Sequence, residues 1–241
     1  MNFIPLGVDA AYPKADGACS SYLIYNDDTK IVLDLGTASL AKLVKLVDPL
    51  TLDALFISHW HADHCSDIFS LSYFFQFNAD EGTKLKLYTI ADNDSYFYQE
   101  ALKNKYFDVI NVNVGDLITV NNFKIKVGSA KHPIKSVMFR VEEDEKSLVY
   151  TGDTNYFDGL SKFFNDVDVL IIDACFTHDV WSDEKPHLSA KLSAQLANEA
   201  NVKKMILTHS SPILNPYDIL YEAKEGFKNS ELIQALKIYK L

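Results

Sequence analysis

Apolar positions along the chain recur with two periods, about 2 and about 3.6 residues, and the alternation between them predicts short strands interleaved with helices. Residues 22–25, 31–35 and 54–58 read as strands, with a helix over 38–47 between the second and the third. Ile68, Leu71 and Phe75 then repeat at helical spacing, and residues 84–90, 95–105 and 107–112 read as strand, helix and strand. Two hairpins follow. Asn121-Asn122, residues that tolerate positive φ, separate Ile118 and Val120 from Phe123, Ile125 and Val127; the charged stretch 142–146, a solvated turn, separates Val137, Phe139 and Val141 from Leu148 and Tyr150. The continuous apolar run 167–172 predicts a strand buried on both faces. Leu188, Leu192 and Leu196 mark a helix, Met205 to Leu207 a last strand, and 217–224 and 231–238 two amphipathic helices covering a sheet face. Among the aromatics, Phe69, Phe74 and Phe77 are expected in the core with Trp60.

At 241 residues, 48% hydrophobic and 23% charged, the chain is expected to fold as a single domain, 1–241. It has neither a signal-peptide apolar run nor a span long enough to cross a membrane, so no membrane partner is expected. Cys19, Cys65 and Cys175 are odd in number and lack C-x-x-C spacing, which fits small apolar residues in a reducing cytoplasm. A net charge of −10 and a single arginine, Arg140, disfavour RNA as a partner and leave lysines or metal to meet any phosphate.

The candidate chemistry sits where strands end. His59, His61, Asp63 and His64 form an H-x-H-x-D-H run after an apolar strand, a spacing that lets imidazole nitrogens and a carboxylate converge on borderline cations such as zinc. His132 before Pro133, Asp153 in T-G-D-T and His209 in L-T-H-S end later strands in the same way. Asp67 is expected to accept from a ligand imidazole, and His178 to be exposed or structural.

This order of motifs, from Gly7 to His209, resembles the metallo-β-lactamase superfamily. The resemblance implies an α+β fold, a four-layer αββα sandwich, with one metal held by His59, His61 and His132, a second by Asp63, His64 and His209, and Asp153 bridging both. It implies two divalent ions, zinc first, with manganese or iron as alternatives. His61 stands where relatives that do oxygen chemistry on two irons carry Glu, which points to hydrolysis.

His187-Leu188-Ser189 resembles the segment of the ribonuclease Z and phosphodiesterase branch in which that His donates a proton, and Asp173 takes the place of its orienting acid. The segment from Gly7 to Ser21 resembles that branch's first loop, with Val8-Asp9-Ala10 in place of the usual glycine-rich stretch. The implied catalytic set is Asp63, His187 and Asp173, acting on a small phosphodiester or cyclic nucleotide. His132 and Asp153 lie only 21 positions apart, room for one hairpin and no RNA-gripping arm, so a transfer-RNA 3′ endonuclease is the alternative. A thioester or lactone hydrolase and a non-catalytic metal- and nucleotide-binding sensor are the others. Many relatives are dimers, so the resemblance also admits a homodimer.

Overall fold

The computed structural model describes residues Met1–Leu241 and resolves into two compact units, Met1–Asn113 with Val120–Asn122 and Gln234–Lys240, and Val114–Thr119 with Phe123–Ile233 and Leu241. The first carries β1 (Asn2–Gly7), β2 (Ser21–Tyr25), β3 (Lys30–Leu33), α1 (Ser39–Leu46), β4 (Ala54–Ile57), α2 (Ala62–Cys65), α3 (Asp67–Asn78), β5 (Leu85–Ile90), α4 (Tyr96–Lys103) and β6 (Phe107–Val112). After β7 (Leu117–Val120), the second carries β8 (Phe123–Ser129), β9 (Val137–Glu143), β10 (Lys146–Tyr150), β11 (Val169–Asp173), α5 (Ala190–Glu199), β12 (Lys204–Thr208), α6 (Pro216–Gly226) and β13 (Ser230–Leu232). A last strand, β14 (Tyr239–Lys240), belongs to the first.

Each sheet has seven strands and both are mixed, in the orders β14-β1-β2-β3-β4-β5-β6 and β13-β12-β11-β10-β9-β8-β7. Antiparallel pairing runs as far as β3 in the first and from β8 to β10 in the second, while β3 to β6 and β10 to β13 pair in parallel. The cause is connection length, since hairpins join antiparallel neighbours whereas helical crossovers carry the chain back to a parallel one. β4 is wholly buried, and so is β11, whose final residue is the carboxylate Asp173. In the second unit α5 lies on α6, with Leu188, Ala194 and Leu196 joining Ile219 and Ala223 in one core with Leu170 and Leu207.

Helix starts follow local chemistry. Ser95 Oγ accepts from Tyr98 N and Ser189 Oγ from Leu192 N, while α6 has Asn215 as its cap and Pro216 in its first turn. Both hairpins form, with Asn121 at φ 50° and Asp144 at φ 49°. No helix is long and apolar enough to cross a membrane.

Two expectations fail. The helix predicted over 231–238 is absent; β13 takes the start of that stretch and β14 follows it, with Leu236 at φ 63° between them. Open sheet edges decide this, because β13 extends the parallel array beside β12 and β14 pairs antiparallel with β1, giving the backbone sheet partners that a two-turn helix would forgo. Phe77, expected in the core, is 78% exposed, because α3 turns Ile68, Leu71, Ser72 and Phe75 inward and Phe77 lies off that face. Trp60, by contrast, is buried edge-on to Tyr98.

Tyr239 stacks on Phe3 at 4.6 Å between ring centroids, so Tyr239→Ala should cost about 2–3 kcal/mol. Urea denaturation checks this, and a loss below about 0.5 kcal/mol would mean that β14 adds nothing to the sheet.

Candidate metal centre

In the first unit the expected ligands cluster on the loop between β4 and α3. His59 Nε2 and His61 Nδ1 are 3.1 Å apart, and Nε2 of His64 lies 3.7 Å from Asp63 Oδ2. Two imidazoles bound tetrahedrally at about 2.0–2.1 Å from one zinc would set their nitrogens about 3.3–3.4 Å apart, so the spacing of His59 and His61 fits a shared cation. The other ring nitrogens are committed, His59 Nδ1 to Ser58 Oγ at 3.0 Å and His64 Nδ1 to Asp34 Oδ2 at 2.7 Å, which leaves Nε2 of each to face a metal.

Asp34 does what the sequence reading assigned to Asp67. Fully buried at the end of β3 and at φ 56°, it accepts from Ser58 N at 2.7 Å and Ser58 Oγ at 2.8 Å as well as from His64. Asp67 instead accepts from Leu40 N at 2.8 Å and from the N–H groups of Ala38 and Ser39. The start of α1, where Ala38 offers no side-chain cap, thus takes a carboxylate from α3. Burial nevertheless holds the Asp67 carboxyl above its usual range.

The residues after Asp34 brace the loop from behind. Leu35 N donates to His64 O at 2.8 Å, and a Cβ on Gly36 would stand 1.9 Å from Asp63 O, so only glycine admits the ligand loop here. Cys65 donates to His61 O at 3.2 Å, and burial, reinforced by Asp34 and Asp63, pushes its thiol well above the usual range. It stays protonated, as expected of a structural cysteine. Burial first, then Asp63 and Asp9, likewise pushes Cys19 up to about 12.

In the second unit the structure gathers His132, Asp153, Asp173, His187 and His209. Asp153 turns a different oxygen to each of two expected ligands, Oδ1 to His209 Nε2 at 3.2 Å and Oδ2 to His132 Nε2 at 4.0 Å, the disposition a bridging carboxylate needs. His132 Nδ1 lies 3.1 Å from Pro186 O, which fixes the proton there and leaves Nε2 to face Asp153. His209 sits at φ 59° just beyond β12. Donor atoms of Asp153, Asp173, His187 and His209 all lie within 4.8 Å of one another.

His187 and Asp173 are paired. His187 Nδ1 lies 2.7 Å from Asp173 Oδ2, and Asp173, fully buried, also accepts from Thr154 N and Cys175 N at 3.1 Å each. Asp173 reaches the ring because it stands on the strand end itself, held from behind by its own N–H donating to Thr151 Oγ1 at 3.0 Å. His178 is structural, its Nδ1 3.0 Å from Ser189 Oγ and its ring stacked on Trp181.

Sequence reasoning missed Asp34, although a polar residue closing an apolar strand is the signal that located the candidate ligands. It also took Cys175 as a plain apolar residue, whereas its sulfur lies within 4.8 Å of donor atoms of His187 and His209.

The profile described as "Beta-lactamase superfamily domain" matches residues 29–210. The probable metallo-hydrolase YhfI of Bacillus subtilis is 27% identical over 234 residues, covering 96% of each chain, and its crystal structure superposes with a TM-score of 0.92 at 26% identity over 99% of this chain and 98% of that one. A ribonuclease Z of Picrophilus torridus is 26% identical over 282 aligned positions, covering 94% of this chain and 91% of its own. A diphosphatase of the PhnP family shares the fold with a TM-score of 0.77 at 16% identity, over 100% of this chain and 97% of that one. The matched profile and the two mixed sheets with their flanking helices agree with what the motifs implied: the chain belongs to the metallo-β-lactamase superfamily, as a metallo-hydrolase.

Proposed function

We propose that the protein hydrolyses a small phosphodiester, with two divalent cations as its cofactors. The observation that carries this reading is the His187–Asp173 pair, 2.7 Å across, with His187 Nδ1 also 3.8 Å from Asp153 Oδ2. Thioester and lactone cleavage need no strong acid at the leaving group, whereas an alkoxide leaving from phosphorus does.

His59, His61 and His132 would hold one cation and Asp63, His64 and His209 the other, with Asp153 shared; the 3.1 Å between His59 Nε2 and His61 Nδ1, and the separate oxygens that Asp153 turns to His209 and His132, support this. Imidazole and carboxylate donors favour zinc, with manganese or iron as alternatives. When bound, such cations lower the pKa of water towards about 7 and offset charge on the phosphoryl oxygens.

The chain's own residues do the rest. Asp63 orients the attacking water and takes its proton. His187, its Nδ1 proton held by Asp173, gives the Nε2 proton to the departing alkoxide as the P–O bond breaks. Asp173 orients the ring. Between His132 and Asp153 the chain forms the β9–β10 hairpin and no further element, which supports a small substrate over transfer RNA. The net charge of −10 argues the same way.

Bis-p-nitrophenyl phosphate with added Zn²⁺ or Mn²⁺ should be cleaved, and complete inertness with both metals would overturn the reading. His187→Ala should lower kcat by about 10²–10⁴-fold on an alkyl phosphodiester and by less than about tenfold when p-nitrophenolate leaves. Equal losses would remove the general-acid role. Asp153→Ala should strip metal from both positions, read by atomic absorption, and full retention would refute bridging. Asp34→Asn should weaken metal affinity about 10–100-fold in competition with a chromophoric chelator, while circular dichroism stays unchanged.

A further inference from the structure

Asn155 follows the Thr151 to Thr154 turn and is buried, yet all its side-chain bonds except one go to a loop about thirty residues ahead. Its Nδ2 faces three carbonyls of that loop, Ser182 O at 3.4 Å, Asp183 O at 3.1 Å and Lys185 O at 2.5 Å. Its Oδ1 accepts from Trp181 Nε1 at 3.1 Å and from Tyr156 N at 2.6 Å. The indole N–H reaches His187 O as well, at 3.0 Å. The loop thus gathered, residues 181–187, carries two groups that matter: His187 itself, and Pro186 O, which anchors His132 Nδ1.

The same stretch is tied to the strand-end segment beside His132. Asn155 N donates to Lys131 O at 2.8 Å, and Lys131 N donates to Thr154 Oγ1 at 3.0 Å. A carboxamide suits this position because it presents two N–H donors and an acceptor at the end of a short stem. An aspartate could not donate to the carbonyls, and an aliphatic residue of similar size would leave them and the indole N–H without this partner.

We infer that Asn155 is a positioning residue, which touches no reacting atom but holds the 181–187 loop so that one carboxamide sets both the aim of His187 and the anchoring of His132. The acid half of this inference rests on the phosphodiesterase reading above; the loop-holding half does not.

The test uses Asn155→Leu, which keeps most of the volume, and Trp181→Phe, which removes the indole donor and keeps an aromatic ring beside His178. Amide hydrogen exchange across residues 181–187 should quicken by about tenfold or more in Asn155→Leu, with β11 and α5 unchanged. Turnover of an alkyl phosphodiester should fall more than that of the p-nitrophenyl substrate, which shifts the ratio towards that of a protein lacking the His187 imidazole, and Trp181→Phe should move it the same way by less. A merely structural asparagine would lower both substrates equally. Equal losses, or unchanged exchange in the loop, would overturn the inference. If the unsubstituted protein cleaves no phosphodiester, the functional reading fails by itself, while the exchange measurement still decides whether Asn155 holds the loop. Should Asn155→Leu fail to fold, Trp181→Phe decides by the same ratio and the same exchange.

Discussion

Two buried carboxylate–imidazole hydrogen bonds organise this protein, Asp34 to His64 in the first unit and Asp173 to His187 in the second, each 2.7 Å long. A carboxylate fully removed from water is costly unless its oxygens find donors, and here each finds three: Ser58 N, Ser58 Oγ and His64 Nδ1 for Asp34, and Thr154 N, Cys175 N and His187 Nδ1 for Asp173. Because donors to each acid sit on the segments that carry the imidazoles, satisfying the acid and aligning the rings are one event. A ring turned away from its aspartate would leave a buried charge short of a partner, so the imidazoles are held before any cation arrives.

Parallel pairing explains why the acids and the loops they hold meet. In a parallel sheet the carboxyl ends of neighbouring strands lie together, so the segments leaving them are neighbours too. Leu33 pairs with Phe56, which brings Asp34 alongside the start of the H-x-H-x-D-H loop. Asp173 pairs with Thr208, and the next residue along is His209. Pairing of Tyr150 with Ile171 likewise sets the turn bearing Asp153 beside the end of β11. The backbone finishes the alignment, with Asp34 and His209 at φ 56° and 59° to turn their side chains off the strand line.

Much of this was legible in the residues. The H-x-H-x-D-H run and the histidines and aspartate closing later apolar strands are local patterns visible in spacing, whereas the H-L-S segment was legible only through the family resemblance. The supporting groups were less visible. Asp34 is embedded in a strand-like run and reads as a punctuation mark, and Asp67 was mistaken for its equivalent because both are acids near the motif. Asn155 carries no signature, since its value lies in carbonyls that only the folded loop assembles. The C-terminal segment was misread because its amphipathic spacing is compatible with a short helix, and open sheet edges, which no local window contains, decide otherwise. Phe77 fails for a related reason: periodicity identifies a helix more firmly than it identifies which aromatics face inward.

The closing of the first sheet by β14 has a consequence for biosynthesis. β1 precedes the other strands of its sheet in the chain, yet the strand that covers its outer edge is translated only after the whole of the other sheet. Throughout that interval the backbone of Asn2 and Phe3 offers unpaired amides to any passing strand, so a nascent chain stalled before β14 would be prone to edge-to-edge association.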